Sequence, residues 1–154
     1  MSVKVGDKAP DFSLFDSERK EQTLQKFAGK NVVLVFYPGA FTSVCTKELC
    51  TFRDSLARFN QLNAQVLGVS VDAPFANAAF ASQNQLQFPL LSDYNRIVSK
   101  FYGGVHENFV GLKGYSVSKR AVFVIDGNGV VKYTWVSENP GVEPNYEEVS
   151  AALA

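Results

Sequence analysis

The amino-acid sequence predicts an α/β fold in which a central mixed β-sheet has helices on both faces. Runs of β-branched and aromatic residues, typical of buried strands, alternate with segments of helical periodicity. Near the C-terminus, the sequence Asp126-Gly-Asn-Gly129 is a strong hairpin signal between two strands. No repeat, low-complexity tract or linker divides the 154 residues, so we expect one domain over residues 1–154.

The first half of the chain predicts an N-terminal β extension followed by strand, helix and strand. In order, we expect a hairpin or short strands over 12–23, a helical turn near 24–28, a strand over 31–37, a helix over 42–59 and a strand over 65–71. Residues 32–37 of this strand are an unbroken apolar run, and Pro38-Gly39 ends it. Leu49, Phe52, Leu56 and Phe59 recur every three or four positions, which predicts one continuous helix.

The second half predicts three helices and a C-terminal hairpin. In order, we expect helices over 74–84 and 94–101, strands over 121–125 and 130–136, and a closing helix over 147–153. Pro74 suits a first helical turn, and Asp93 is suited to cap the helix at 94.

Composition excludes several classes of partner. Fifteen Lys and Arg balance fifteen Asp and Glu, so the chain lacks the basic character of a nucleic-acid-binding domain. The longest apolar run, residues 32–37, is far shorter than the roughly 18 residues of a membrane span. The first residues contain no apolar stretch like that of a secretory signal. We therefore expect a cytoplasmic protein without a membrane or nucleic-acid partner.

The cysteine count argues against both a disulfide scaffold and a metal centre. The chain has two cysteines, Cys45 and Cys50, and a single histidine, His106. A small secreted scaffold would have more cysteines, spread along the chain. A structural zinc site needs about four nitrogen or sulfur ligands, and only three candidates exist here. We expect no metal.

Cys45 lies where a buried strand gives way to a helix. Ligands of open α/β sheets bind at this end of the strands. A thiol in the first helical turn faces unpaired backbone N–H groups and the positive end of the helix dipole, and both favour the thiolate. The alternative, an inert buried cysteine, is less consistent with this position.

The spacing of Cys45 and Cys50 limits how they can pair. Four residues intervene, so this is not a Cys-x-x-Cys dithiol. On a continuous helix the two Cα atoms would be roughly 8.6 Å apart. A disulfide requires about 7 Å or less. Either the cysteines never pair, or pairing requires the helix to unwind.

The segment Pro38-x-x-x-Thr42-x-x-Cys45 resembles the active-site motif of the peroxiredoxins, which are thiol peroxidases with a thioredoxin-like fold. Segments 6–14, 88–93 and 120–126 also resemble peroxiredoxin segments, in the same order. A second cysteine five positions after the first resembles the bacterioferritin comigratory protein, or peroxiredoxin Q, branch. The AhpE-like one-cysteine branch has a similar layout and is the alternative if Cys50 has no role.

The resemblance implies a role for each residue of the motif. Cys45 would be the peroxidatic cysteine and would become a sulfenic acid, and Cys50 would be the resolving cysteine that forms a disulfide with it. Arg120 would stabilise the thiolate and the transition state.

Four further residues are implied around this centre. Thr42 would hydrogen-bond the thiolate or the peroxide, and Pro38 would limit water access. Backbone N–H groups near Val44 and Cys45 would hold the substrate oxygens. Glu48, one turn beyond Cys45, could orient Arg120 through a bidentate pair.

The implied function is reduction of hydrogen peroxide and small organic hydroperoxides without a cofactor, followed by recycling through a thioredoxin-like dithiol reductant. Two alternatives remain on the same fold. One is a thiol–disulfide oxidoreductase, and the other is a non-catalytic redox-sensing or holdase-type protein. Monomer and homodimer are both compatible with the sequence.

Overall fold

The computed structural model describes residues 3–153, and within them an α/β arrangement is formed as predicted. The strands are β1 (Ser13–Asp16), β2 (Glu21–Thr23), β3 (Asn31–Phe36), β4 (Ala64–Ser70), β5 (Leu90–Ser92), β6 (Val105–His106), β7 (Val117–Ser118), β8 (Arg120–Ile125) and β9 (Val131–Ser137). The helices are α1 (Ser43–Asp54), α2 (Leu56–Gln61), α3 (Pro74–Gln83), α4 (Ile97–Tyr102) and α5 (Tyr146–Ala151), with 3-10 turns at Leu24–Phe27 and Phe109–Gly111.

Seven strands form one mixed sheet in the order β2-β1-β5-β4-β3-β8-β9. The central strand β3 is parallel to β4 and antiparallel to β8. The β1–β2 hairpin is the predicted N-terminal extension, and the β8–β9 hairpin forms the opposite edge. The carboxyl end of β3 and the beginning of β8 therefore lie side by side.

Helices cover both faces of this sheet and enclose two apolar cores. On one face, α1, α2, α3 and α5 contribute buried residues that include Leu49, Phe52, Phe59, Phe80 and Val149. On the other face, α4 and the first 3-10 turn pack against the alternate residues of the same strands. The strands β3 and β8 are buried on both faces, which explains their unbroken apolar sequences.

Close packing of α1 on the sheet depends on Gly68 of β4. A Cβ atom at this position would lie 2.7 Å from Leu90 Cδ2 and 3.4 Å from both Leu49 Cδ1 and Tyr37 Cε1. The missing side chain leaves room for Leu49, the fully buried residue that precedes Cys50 on α1.

The predicted continuous helix over 42–59 is wrong, because the chain breaks between α1 and α2 at Ser55. Ser55 has φ −98° and ψ 6°, outside ordinary helical geometry. Its N–H group is shared among the carbonyl groups of Thr51, Phe52 and Arg53, a pattern common at helix ends. The apolar period continues across the break because both helices pack on the same face of the sheet.

The start of α4 also differs from the prediction. The helix begins at Ile97 instead of residue 94, because Arg96 adopts the left-handed conformation with φ 67°. Asp93 still accepts hydrogen bonds from helix amides, from Val98 at 3.2 Å and Ser99 at 2.6 Å.

The structure also contains three short strands that the sequence did not predict, β5, β6 and β7. No helix among residues 3–153 is long and apolar enough to cross a membrane.

Candidate active site

The segment between β3 and α1 forms a tight loop beneath which Cys45 is buried. Pro38 and Gly39 are buried directly after the strand, and α1 begins at Ser43 with Thr42 as the N-cap residue. The Ala40 N–H group donates to Asp72 Oδ2 at 2.8 Å, which ties the loop to the end of β4. Phe41 has φ 68°, a conformation that is strained for a bulky side chain and that reverses the chain before the helix.

Cys45 lies at the third position of α1 and is fully buried. Its sulfur lies 3.1 Å from Nη2 of Arg120, and Nη1 of the same guanidinium donates to Glu48 Oε1 at 2.8 Å. Glu48 follows Cys45 by three positions, so both side chains lie on the same face of α1. The three residues form a buried cluster in which one cation contacts a carboxylate and a thiol.

The sheet register brings Arg120 to this cluster. Arg120 is the first residue of β8, and its neighbour Ala121 pairs with Phe36, the last residue of β3. The Pro140 carbonyl accepts from Arg120 Nε at 3.0 Å and from Nη2 at 2.8 Å. The guanidinium is therefore held by α1 on one side and by the segment after β9 on the other.

Burial and charge oppose each other in this cluster. Burial raises the pKa of Glu48 to about 7, although Arg120 acts to lower it. Burial acts to lower the pKa of Arg120, but Glu48 and Cys45 outweigh it and raise that pKa. The second Glu48 oxygen, Oε2, has no hydrogen-bond partner among the described residues, so the expected bidentate pair with Arg120 is wrong and a single contact joins the two groups. Arg120 therefore stays cationic, while Glu48 can gain or lose a proton near neutral pH.

Thr42 is the N-cap residue of α1, and Val44 is the second residue of the helix, directly before Cys45. The Thr42 hydroxyl donates to the Gly39 carbonyl at 2.9 Å, so its oxygen remains able to accept a hydrogen bond. The first intrahelical bond of α1 is Thr46 N–H to Thr42 O. The amides before Thr46 have no carbonyl group one turn earlier in the helix to which they could donate. The N–H groups of Val44 and Cys45 are therefore available to a ligand.

Cys50 lies on the same uninterrupted helix and is half-buried. Both cysteines are free thiols. The Cys50 sulfur lies 3.7 Å from Asn84 Oδ1 at the end of α3, away from the Arg120 cluster. The structure thus brings Arg120, Glu48 and Cys45 together and keeps Cys50 on a separate contact.

Three residues of this region were absent from the sequence prediction. Pro140 acts through a backbone carbonyl, for which the sequence carries no signal. Asp72 follows β4 at the carboxyl edge of the sheet, and the strand-end rule that indicated Cys45 could have indicated it. Asn84 ends α3, and only the tertiary structure brings it to Cys50. Within residues 3–153, no group of three or more His, Cys, Asp or Glu side chains is arranged to hold a metal ion.

Comparison with known proteins assigns the family. The model of the AhpC/TSA family matches residues 5–134. The chain belongs to the AhpC/TSA family. The four resembling segments noted in the sequence all begin within the matched range.

Relatives of this AhpC/TSA member are named peroxiredoxins. Peroxiredoxin Q, chloroplastic, from Triticum aestivum is 41% identical over 133 residues, which cover 86% of this chain and 59% of that protein. The putative peroxiredoxin bcp of Coxiella burnetii is 40% identical over 136 residues, covering 88% of this chain and 89% of that protein. The chain thus spans about three fifths of the Triticum protein and most of the Coxiella protein.

Solved structures of peroxiredoxins share the fold. Peroxidoxin BcpB from Mycobacterium tuberculosis superposes with a TM-score of 0.86 at 33% identity, covering 98% of this chain and 96% of that chain. Peroxiredoxin Q from Xanthomonas campestris gives a TM-score of 0.80 at 30% identity, covering 92% and 89%. The expected resemblance to the peroxiredoxin Q and bacterioferritin comigratory protein branch is confirmed, and so is the thioredoxin-like fold.

Proposed function

We propose that this protein is a thiol-dependent peroxidase that reduces hydrogen peroxide and small organic hydroperoxides. The observation that carries the proposal is the 3.1 Å contact between Arg120 Nη2 and the Cys45 sulfur. A permanent cation beside a cysteine at a helix N-terminus favours the thiolate, which is the nucleophilic form. Peroxide reduction needs such a nucleophile and no further cofactor.

In the first step, the Cys45 thiolate attacks one peroxide oxygen. The sulfur–oxygen bond forms as the oxygen–oxygen bond breaks, and the second oxygen leaves as hydroxide or alkoxide, which takes up a proton. Cys45 is oxidised to a sulfenic acid, and the peroxide is reduced to water or an alcohol. Arg120, in contact with the sulfur, stabilises the negative charge as it moves onto the leaving oxygen.

The loop before α1 positions the peroxide in this proposal. The Thr42 oxygen accepts the hydrogen of the peroxide, and the N–H groups of Val44 and Cys45 donate to its oxygens. Pro38, which is buried at the start of this loop, limits access of water to the sulfur. Glu48 orients Arg120 through the 2.8 Å contact.

In the second step, Cys50 acts as the resolving cysteine and forms a disulfide with Cys45. The two residues lie on one intact helix, where their Cα atoms are roughly 8.6 Å apart, so α1 must unwind between them. A thioredoxin-like dithiol then reduces the disulfide. The AhpE-like alternative, in which Cys50 has no such role, predicts a sulfenic acid that persists until an external thiol reacts.

The buried position of Cys45 argues against a thiol–disulfide oxidoreductase. A protein disulfide cannot approach a sulfur with no exposed surface unless α1 moves first, whereas a small peroxide needs only a narrow opening. One domain over 1–154, a cytoplasmic location, and a monomer or homodimer all stay predictions. Plant relatives are named as chloroplastic, so location can differ among similar proteins.

The test is consumption of peroxide with a thioredoxin-like dithiol present, accompanied by the mass of the protein after one equivalent of peroxide. A peroxidase consumes peroxide over many turnovers, and its mass shows one intramolecular disulfide. A thiol–disulfide oxidoreductase instead reduces the disulfides of insulin. A redox sensor or holdase neither consumes peroxide over many turnovers nor reduces insulin. Failure to consume peroxide while Cys45 remains reduced would overturn the proposal.

A further inference from the structure

Two side chains in the half of α1 that carries Cys50 contact Asn84 at the end of α3. The Cys50 sulfur lies 3.7 Å from Asn84 Oδ1, and Arg53 Nη1 donates to the Asn84 backbone oxygen at 2.7 Å. Arg53 follows Cys50 by three positions, so the two side chains project from the same face of α1. These contacts are separate from those that hold Cys45.

The environment of α3 explains why Arg53 binds there. The carbonyl groups at a helix C-terminus lack intrahelical partners and carry partial negative charge, so cations are favourable beside them. The last turn of α3 has no basic residue of its own. Arg53 supplies that cation from the neighbouring helix, and its side chain is still 31% exposed.

The Asn84 side chain is itself oriented by α3. Its Nδ2 donates to the Phe80 carbonyl at 3.0 Å, which directs Oδ1 toward Cys50. The backbone and the side chain of Asn84 therefore serve different partners. Replacing the side chain removes the contact to Cys50 and leaves the backbone acceptor of Arg53 in place.

We propose that Arg53 and Asn84 form a latch that keeps Cys50 in the folded helix and sets the rate at which it reacts with oxidised Cys45. The inference rests on the peroxidase function proposed above. In that reaction the Cys50 sulfur attacks the sulfur of the Cys45 sulfenic acid. The sulfur–sulfur bond forms, the sulfur–oxygen bond breaks, and the oxygen leaves as water with the thiol proton.

The latch matters because the Cys50 side chain is the less restrained of the two cysteine side chains. Cys45 has no exposed surface and is held by the buried Arg120, whereas Cys50 is half-buried and its sulfur makes one weak hydrogen bond among residues 3–153, to Asn84. Moving Cys50 toward Cys45 breaks that contact and pulls on Arg53. The latch thus opposes disulfide formation and lengthens the life of the sulfenic acid.

The experiment compares Arg53→Ala, Arg53→Lys and Asn84→Ala with the wild type. Arg58→Ala is the matched control, because Arg58 lies on α2 and pairs with Glu147 at 3.8 Å. Rapid quenching followed by mass analysis separates the rate of sulfenic acid formation from the rate of disulfide formation. Arg53→Ala should form the disulfide about fivefold faster, as loss of a partly exposed charged hydrogen bond implies.

The other variants show which interaction sets the rate of disulfide formation. Asn84→Ala should also form the disulfide faster, and Arg53→Lys, which retains a cation and a donor, should return toward the wild-type rate. Sulfenic acid formation should be unchanged in all of them, and over-oxidation to sulfinic acid should decrease in the faster ones. Arg58→Ala should match the wild type in every rate.

Hydrogen exchange of the reduced protein gives a readout that involves no thiol chemistry. Amides of α1 should exchange faster in Arg53→Ala than in the wild type or Arg58→Ala, while amides of β3 and β8 should not change. A purely structural role would leave the rate of disulfide formation unchanged and would alter exchange throughout the protein.

Two failures can be told apart. If the wild type turns over but Arg53→Ala forms the disulfide at the wild-type rate or more slowly, the latch is wrong and the peroxidase proposal stands. If the wild type forms no sulfenic acid, the peroxidase proposal is wrong. The latch is then tested by hydrogen exchange alone, and an unchanged exchange rate of the α1 amides in Arg53→Ala would overturn it as well.

Discussion

Nη2 of Arg120 and the sulfur of Cys45 lie 3.1 Å apart, although the two residues are separated by 75 positions in the chain. The contact exists because Arg120 begins β8, which runs antiparallel to the strand that leads into α1. Glu48 and the Pro140 carbonyl accept from three further N–H groups of the guanidinium. Arg120 can therefore turn little, and its charge is directed at the sulfur before any substrate arrives.

Replacing each cysteine by serine should separate the two chemical steps. Cys45→Ser should abolish peroxide consumption, because an alcohol beside Arg120 is a far weaker nucleophile than a thiolate. Cys50→Ser should leave the first turnover fast and stop multiple turnovers with a thioredoxin-like reductant. Peroxide consumption and thermal unfolding measure both effects. Appreciable activity in folded Cys45→Ser would remove Cys45 from the reaction.

Arg120→Lys should slow the attack on peroxide even though the charge is retained. A lysine cannot reach Cys45, Glu48 and the Pro140 carbonyl together, because it lacks the planar fork. Loss of one charged hydrogen bond in the transition state corresponds to a roughly ten- to hundredfold slower reaction. Stopped-flow measurement of Cys45 oxidation tests this, with exposed Arg58→Lys as the control. A wild-type rate would show that the contact has no catalytic effect.

Glu48 should make stability depend on pH. Its pKa of about 7 lies above the ordinary value of 4.5, so the native state holds this proton more tightly than the unfolded state does. The resulting stabilisation is complete below about pH 4.5 and is lost as the pH rises through about 7, a change of about 3 kcal/mol.

Comparison with Glu48→Gln isolates this contribution, because glutamine does not titrate. The stability of the wild type relative to the variant should fall as the pH rises from about 4.5 to 8. Urea unfolding of both proteins across this range measures it, with Glu18→Gln on the exposed β1–β2 hairpin as the control. A constant difference between wild type and Glu48→Gln would contradict the raised pKa.

Asp72 should hold the active-site loop in place. Its Oδ2 accepts from the Ala40 N–H and from the Ser70 hydroxyl, both at 2.8 Å. Asp72→Ala should lower the free energy of unfolding by about 1–3 kcal/mol, because the Ala40 N–H loses its partner and the Ser70 hydroxyl keeps only a longer contact with Asn77 Oδ1, at 3.3 Å. Cys45 oxidation should also slow several-fold as the loop loosens. Urea unfolding and stopped-flow kinetics test this, and Asp7→Ala, at an exposed turn, should change neither.

Most of the sheet could be predicted from sequence because its central strands are buried on both faces. The apolar runs at β3, β4 and β8 appear directly in the sequence, and Asp126-Gly-Asn-Gly129 identifies the β8–β9 hairpin. The three-residue β5 and the two-residue β6 and β7 are too short to show a period. Their pairing is decided by neighbouring strands instead of their own residues.

The site could be predicted in its residue types and only partly in its contacts. The position of Cys45 followed from the strand-to-helix transition, a local feature. The contact of Arg120 with Glu48 depends on sheet register, and the Pro140 carbonyl belongs to a backbone whose path no side-chain pattern specifies. The break at Ser55 was missed because Leu49 to Phe59 keep one apolar period across it.

In the reaction cycle proposed above, the break at Ser55 limits how much of the protein becomes exposed. Unwinding of the 12-residue α1 can end at Ser55, so α2 keeps its own hydrogen bonds and Phe59 stays buried in the core. A cellular protease that cleaves open segments would therefore meet only one short stretch of chain, and only in the oxidised protein.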